Sequence, residues 1–421
     1  MLRAGSVLIG TEPAPTSVTD MPLISPWRAD FPAIAALQRQ GQTYLDSAAT
    51  AQKPQALIDA MVGYYAHGAA NVHRAQHQPG AMATQAFEGT RGKVARWLNA
   101  GSAGQIVFTH GATSAFNLLA YGLEHLFEAG DEIVVSALEH HANLLPWQQL
   151  ALRRGLKLVV LPLTDSGVID IDVAAGLITS RTRLLAVSQL SNVLGTWQPI
   201  EPLVALARAN GALSVIDGAQ GVVHGRHDVQ QIGCDFYVFS GHKLYGPDGV
   251  GVLFGRNEAL AQLKHWQFGG EMVLHTGYQT ATFRPAPLGF EAGTPAIGAV
   301  IGLGATLDYL NALTPSAVEA FEAHLHERLR AGLMRRDGVR LLGDPQVALA
   351  SFVVEGVHNA DLAHLLTEQG IAVRAGHHCA IPLISGLELS GAIRVSLALY
   401  NDSDDLERFF IALDQALELL R

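Results

Sequence analysis

Lys243 stands between glycines in Ser240-Gly241-His242-Lys243-Leu244-Tyr245-Gly246-Pro247-Asp248-Gly249. A lysine in such a loop, just past an apolar run, can form a Schiff base with a carbonyl cofactor. Asp217 ends the preceding apolar run. A carboxylate there can keep a ring nitrogen protonated, as the electron sink of pyridoxal phosphate requires. The phosphate of that cofactor needs neutral donors and a helix N-terminus. Gly111-Ala112-Thr113-Ser114 opens a helix-like stretch, and Ser240 and His242 add further donors. Alone, Lys243 reads as a solvated surface lysine and Asp217 as a helix cap or Asx turn. Their joint placement at neighbouring strand ends points to cofactor chemistry.

Three further groups could act on a bound substrate. In Glu139-His140-His141-Ala142-Asn143, one imidazole can stack on a pyridine face and shuttle protons; the alternative is a capping or surface histidine. Cys379 sits in Arg374-Ala375-Gly376-His377-His378-Cys379-Ala380, a bent loop whose arginine and histidines favour a thiolate. A buried apolar cysteine is the plain alternative. A metal site from His377, His378 and Cys379 is weaker still, because adjacent residues rarely point at one ion and no fourth ligand is evident; no metal is expected. Arg394 interrupts an apolar run, where its guanidinium can fork onto a carboxylate or simply mark an edge strand. The other cysteine, Cys234, leads into an apolar strand and reads as structural.

The elements that must carry these groups alternate. Seven β-rich runs are expected at Gln105–Thr109, Glu132–Ser136, Lys157–Leu161, Leu184–Ser188, Leu213–Asp217, Phe236–Ser240 and Gly249–Phe254. Helical stretches at Ser114–Phe127, Leu144–Arg154 and Ile200–Asn210 separate most of them. The order predicts an α/β fold with a mainly parallel seven-stranded sheet covered on both faces. The last two runs are too close for a helical crossover, so one should be antiparallel. Ligands bind beyond the carboxyl ends of such strands, where five polar motifs fall. Beyond Pro295 the pattern changes to long helices (Ala296–Leu313, Pro315–Arg335), then β-like Ala350–Glu355, helical Ala360–Glu368, β-like Ile371–Arg374 and Ala392–Leu397, and a terminal amphipathic helix at Ser403–Leu420. The expected division is a tail over 1–24, a segment over 25–40 packing on the smaller domain, a large domain over 41–300 and a smaller α/β domain over 301–421.

The composition excludes several other classes. The chain has 421 residues, 49% of them hydrophobic and 16% charged, with a net charge of −10, so it is globular and carries no basic surplus for nucleic acid. Two cysteines cannot build a disulfide framework, which fits a reducing compartment and a cytoplasmic location. No apolar run reaches membrane-span length.

Taken together, the motifs resemble those of group II cysteine desulfurases and selenocysteine lyases, the SufS and CsdA type, in class V of the fold-type I aminotransferases. The likeness runs from about Trp27 to Arg421. It rests on Tyr44-Leu45-Asp46-Ser47-Ala48-Ala49, Asn71-Val72-His73-Arg74, the segments around His140, Asp217, Lys243 and Cys379, Ser191-Asn192-Val193-Leu194-Gly195, and Phe290-Glu291-Ala292-Gly293-Thr294-Pro295. The resemblance implies that Lys243 binds pyridoxal phosphate, Asp217 pairs its ring nitrogen, His140 stacks on it and Gln220 bonds its ring oxygen. Thr113, Ser240 and His242 would hold the phosphate, with Thr294 reaching the phosphate of a partner subunit, hence a homodimer. Asn192 and Arg394 would hold the substrate carboxylate, Arg374 and His73 would line the pocket, and Cys379 would accept sulfur from L-cysteine, leaving alanine. A SufE-like or SufU-like acceptor and delivery to iron–sulfur clusters or another thio-cofactor are further implications. One departure is Ala112, where the family usually has a second threonine. Transamination, kynurenine cleavage and epimerisation on the same scaffold need no thiol, and a non-enzymatic scaffold would not need Lys243, Asp217, His140, Cys379 and Arg394 together.

Overall fold

The computed structural model describes residues 23–74, 76–225 and 228–421. Most of the expected 1–24 tail lies outside them. The seven strands are β1 (Ile106–Thr109), β2 (Glu132–Ser136), β3 (Lys157–Leu161), β4 (Thr182–Ser188), β5 (Leu213–Asp217), β6 (Phe236–Ser240) and β7 (Gly251–Gly255), in one sheet of spatial order β1-β7-β6-β5-β4-β2-β3. β7 runs antiparallel to both its neighbours, and the other pairs are parallel. Side chains alternate across a strand, so one run feeds two cores. Ile133, Val135, Leu184, Ala186, Val215 and Val238 enter one apolar cluster; Val134, Leu185, Val187, Ile216, Tyr237 and Phe239 enter the other. Burial on both faces explains why these strands read as continuous apolar runs.

Helix α1 (Ala112–Gly122) follows β1, and its cap Gly111 has φ +135, a conformation that favours glycine. A Cβ on Gly251 of β7 would meet the backbone of Gly111 at 2.4 Å, so two glycines let the last strand press against this helix start.

The smaller domain holds β8 (Val339–Leu341), β9 (Leu349–Val354), β10 (Arg374–Gly376) and β11 (Ala392–Ser396) in the order β8-β9-β11-β10, all antiparallel. Helices α2 (Pro315–Met334) and α3 (Ser403–Leu420) share its apolar cluster through Phe321, Leu325, Phe409 and Leu413. The strand expected over Ile371–Arg374 divides. Ile371–Ala372 pairs in parallel with Thr43–Tyr44, and Arg374 begins β10. The expected boundary at 300 falls inside a helix, Ile297–Ala312. Its Val300, Leu303 and Leu307 belong to the larger core, and it packs on the helices Gln55–Gly68 and Gln78–Trp97. The change of core comes at α2. The segment over 25–40 bonds the smaller domain through Ser25 to Leu399 and Arg28 to Asp405, but its Phe31 and Ile34 enter the larger core, so it bridges the two.

Candidate active site

The strand ends of the large sheet and two strands of the smaller domain enclose a cavity of about 200 Å³. Lys243, Asp217, His140, Gln220, Thr113, Ser240, His242, Asn192, Arg374, Arg394 and Cys379 all line it. Asp217 ends β5 and is 6% exposed; its Oδ1 accepts from the Ala219 amide at 2.9 Å. Lys243 closes the one-turn helix Gly241–Lys243 after β6. Burial raises the Asp217 carboxyl and lowers the Lys243 ammonium, while their mutual attraction opposes both shifts. At the start of α1, the Ser240 hydroxyl accepts from the Ala112 amide at 2.8 Å, which leaves its own proton free for a ligand oxygen.

Pyridoxal phosphate fits this set. A half-buried lysine and a buried carboxylate face one cavity, a helix N-terminus and an available serine proton lie at one end, and the buried Nε of Arg394 has no hydrogen-bond partner among the described residues at the other. Lys243 could bind the aldehyde, Asp217 the ring nitrogen, His140 and Gln220 the ring, and Thr113, Ser240 and His242 the phosphate.

The two histidine pairs divide in the same way. His140 Nδ1 accepts from the Ala142 amide at 3.0 Å, so its neutral form carries the proton on Nε2. Burial, then the charge of Lys243, pushes it down to about 3. His141 lies outside the cavity. Its backbone amide donates to Cys379 O at 2.7 Å, and its Nε2 accepts from the Ile381 amide at 3.2 Å, so it braces the cysteine turn. His378 is buried and lines the cavity, while its neighbour His377 is exposed. Among the described residues no group of three His, Cys, Asp or Glu side chains is placed to hold a metal ion, these included. Burial and Arg394 push His378 down to about 3, so it adds no positive charge beside the thiol, contrary to the sequence expectation.

Cys379 is exposed, at φ +57, directly after His378 at φ +52. Two successive non-glycine residues in the left-handed region mark a strained turn. Cys234 is fully buried and its thiol is pushed up by burial, in keeping with a structural role.

Arg394 lies on β11, an inner strand and not an edge, and is 2% exposed. The register sets Arg374 directly opposite it. Two arginines facing each other repel, and Asp46 lies between them: its Oδ1 accepts from Arg394 Nη2 at 3.1 Å and its Oδ2 from Arg374 Nε at 3.1 Å. Arg394 Nη1 donates to Asn192 O at 2.9 Å, and Asn192 Nδ2 donates to His378 O at 2.9 Å. A corner of two guanidinium groups, one carboxylate and one amide, which could take up a further carboxylate, is therefore built across both domains. The role of Asp46 escaped sequence reading, although it stands in a motif, because its partners lie more than 300 residues away.

Two expected residues are elsewhere. His73 does not line this cavity; its Nε2 pairs with Glu88 Oε1 at 2.9 Å. Thr294 lines a separate cavity with Thr109, His110 and Gly293. Glu139, to which sequence reading gave no role, is 2% exposed and ties the ends of β2 and β4 together under His140.

The class-V aminotransferase family model matches residues 43–409. A probable cysteine desulfurase of Pseudomonas putida is 76% identical over 94% of this chain and 99% of its own length. One of Pseudomonas aeruginosa is 69% identical over 95% of this chain and 100% of its own. The crystal structure of the cysteine desulfurase CsdA of Escherichia coli superposes with a TM-score of 0.88 at 42% identity, covering 94% of this chain and 98% of that one. With that match in fold, length and sequence, the chain belongs to the class-V aminotransferases and, within them, to the cysteine desulfurases of the group II, CsdA-like type.

Proposed function

We propose that this protein is a pyridoxal phosphate-dependent cysteine desulfurase that converts L-cysteine to L-alanine and keeps the sulfur as a persulfide on Cys379, with selenocysteine lyase activity on the same site. One observation carries the reading: an exposed cysteine on a strained turn faces the same cavity as Lys243 and the buried Asp217. When bound, the cofactor supplies the electron sink that lets the Cα–H and then the Cβ–S bond of the substrate break. The chain's own residues do the rest. Arg394 and Asn192 orient the substrate carboxylate. The Lys243 amine, lowered by burial, takes the Cα proton and as ammonium can return it to carbon, while the neutral His140 is placed to donate a hydrogen bond from Nε2. The Cys379 thiolate attacks the substrate sulfur, and the electron pair of the C–S bond returns to carbon, which is then protonated to alanine. His141 and Asn192 hold the nucleophile's turn from the large domain.

The homodimer is supported by Thr294, which lies in a cavity of its own and would serve the phosphate of the partner subunit. An exposed Cys379 suits thiol exchange with a SufE-like or SufU-like acceptor, for iron–sulfur cluster or other thio-cofactor assembly, in the cytoplasm, where thiols stay reduced.

Cys379→Ala should keep the yellow cofactor and lose persulfide formation from cysteine; persulfide labelling that persists would overturn the assignment. Lys243→Ala should lose the visible band of lysine-bound cofactor, and a variant that keeps that band and still loses it on borohydride reduction would count against Lys243.

A further inference from the structure

We propose that His378 is a specificity-determining residue that accepts a hydrogen bond from the side-chain thiol of bound L-cysteine; the proposal rests on the desulfurase reading above. His378 is 6% exposed and lines the cavity beside Cys379, Asn192 and Arg394. Its Nε2 lies 3.1 Å from Ala392 O, an oxygen that can only accept, so Nε2 carries the proton and Nδ1 is a bare lone pair. That Nδ1 is buried and has no hydrogen-bond partner among the described residues. Burial, reinforced by Arg394, keeps the ring neutral, so it can only accept there. Native structures rarely leave a buried acceptor unpaired, and one at the wall of a substrate cavity calls for a donor from the substrate.

Only one group of L-cysteine can be that donor. Its carboxylate has no proton and matches the unpaired Nε of Arg394. Its amino group is taken up in bonding to the cofactor. The thiol remains, and with an ordinary pKa of about 8.5 it is protonated at neutral pH. Holding the substrate sulfur by its proton also keeps it neutral, which is the form a neighbouring thiolate can attack without charge repulsion. A selenol is more acidic, is ionised at the same pH and has no proton to give. His378 would then favour the thiol over the selenol.

The ring can be changed without losing the turn. The His378 carbonyl is held independently by Asn192, and asparagine tolerates φ +52 while presenting an oxygen near the place of Nδ1. In the holoenzyme, His378→Ala should lower kcat/KM for L-cysteine about tenfold and leave that for L-selenocysteine within about twofold. His378→Asn should recover most of the loss. A second readout needs no turnover: in the Cys379→Ala holoenzyme, L-cysteine should bind about tenfold tighter than L-2-aminobutyrate, which has a methyl in place of the thiol, and adding His378→Ala should erase that preference. Equal losses on both substrates, an asparagine variant no better than alanine, or an unchanged binding preference would overturn the proposal and leave His378 as a brace to Ala392. Failure of the wild type to release alanine from cysteine would instead overturn the desulfurase reading.

Discussion

Glu139 offers a quantitative test of how the His140 platform is held. Its carboxyl takes four hydrogen bonds: Oε1 from Ser136 Oγ at 2.5 Å and the Ser188 amide at 3.0 Å, and Oε2 from Asn143 Nδ2 at 2.7 Å and Ser188 Oγ at 2.6 Å. All four donors are neutral. Burial outweighs them and pushes the carboxyl up from 4.5 to about 7. The folded protein therefore holds a proton between these values that the unfolded chain has released, and stability falls as pH rises through that window. The full effect is about 3 kcal/mol, most of it falling between pH 5 and 8. Protonated Glu139 stays bonded, because either serine hydroxyl can reverse and accept. In Glu139→Gln the amide nitrogen must face Asn143 or Ser188, and an unpaired buried donor costs about 1–3 kcal/mol. The variant should thus be less stable than wild type at pH 5 by about that amount, and the gap should shrink by about 2–3 kcal/mol at pH 8. Urea unfolding of both holoproteins at one protein concentration measures the difference, and the buried histidines, common to both, cancel. A gap that stays constant with pH would refute the reasoning and mean that Glu139 is ionised throughout.

Two further substitutions probe the two ends of the cavity, and acid probes the histidines. Arg394→Ala strands Asp46 and the Asn192 carbonyl without their buried partner; kcat/KM for cysteine should fall about 100-fold or more, chiefly through KM. Ala112→Thr restores the hydroxyl usual at that position beside Thr113 and should tighten cofactor binding up to about tenfold, read by titrating apoprotein with pyridoxal phosphate. His140, His378 and His242 all lie well below 6.5, at about 3, 3 and 4. A lowered histidine gives stability that is present above the unfolded value and lost as pH falls; three such rings outweigh the single opposing contribution of Glu139, so melting temperature should drop as pH is taken from 7 to 5, and a profile that is flat or rising in the Glu139→Gln variant, which lacks that contribution, would contradict the burial of these rings.

The large sheet was legible because its strands are covered on both faces, and each apolar run ends close to where the chemistry begins, as Asp217 and Ser240 do. The helix Gln78–Trp97 was not, because part of its buried face is polar. Thr90 and Arg91 are each 1% exposed, and Arg91 is satisfied by Glu291 at 2.5 Å and by Ile106 O, partners remote in sequence. Helix Ile297–Ala312 failed in the opposite sense. It is apolar nearly all round, so nothing in its own residues says which core receives it, and the boundary drawn at 300 cut through it.

Within the site the division is between residue type and residue environment. Lys243, Asp217, Cys379 and Arg394 carry rare chemistry for their positions, and type together with placement beside the ends of apolar runs singled them out. The histidines did not yield to type, because adjacent side chains on a turning backbone point apart and the two members of each pair meet different surroundings. His140 enters the cavity while His141 spends its ring on the Ile381 amide; His378 is buried while His377 is exposed. What sets their roles is the backbone partner of each ring: a carbonyl of residue 392 fixes the tautomer of His378, and the nearby amide of Ala142 fixes that of His140. The same holds for Asp46, whose place between two arginines follows from the register that sets Arg374 opposite Arg394. Hydrogen-bond partners, some within one turn and some across the domain junction, decide more than the identity of the side chains which groups can donate, accept or carry charge here.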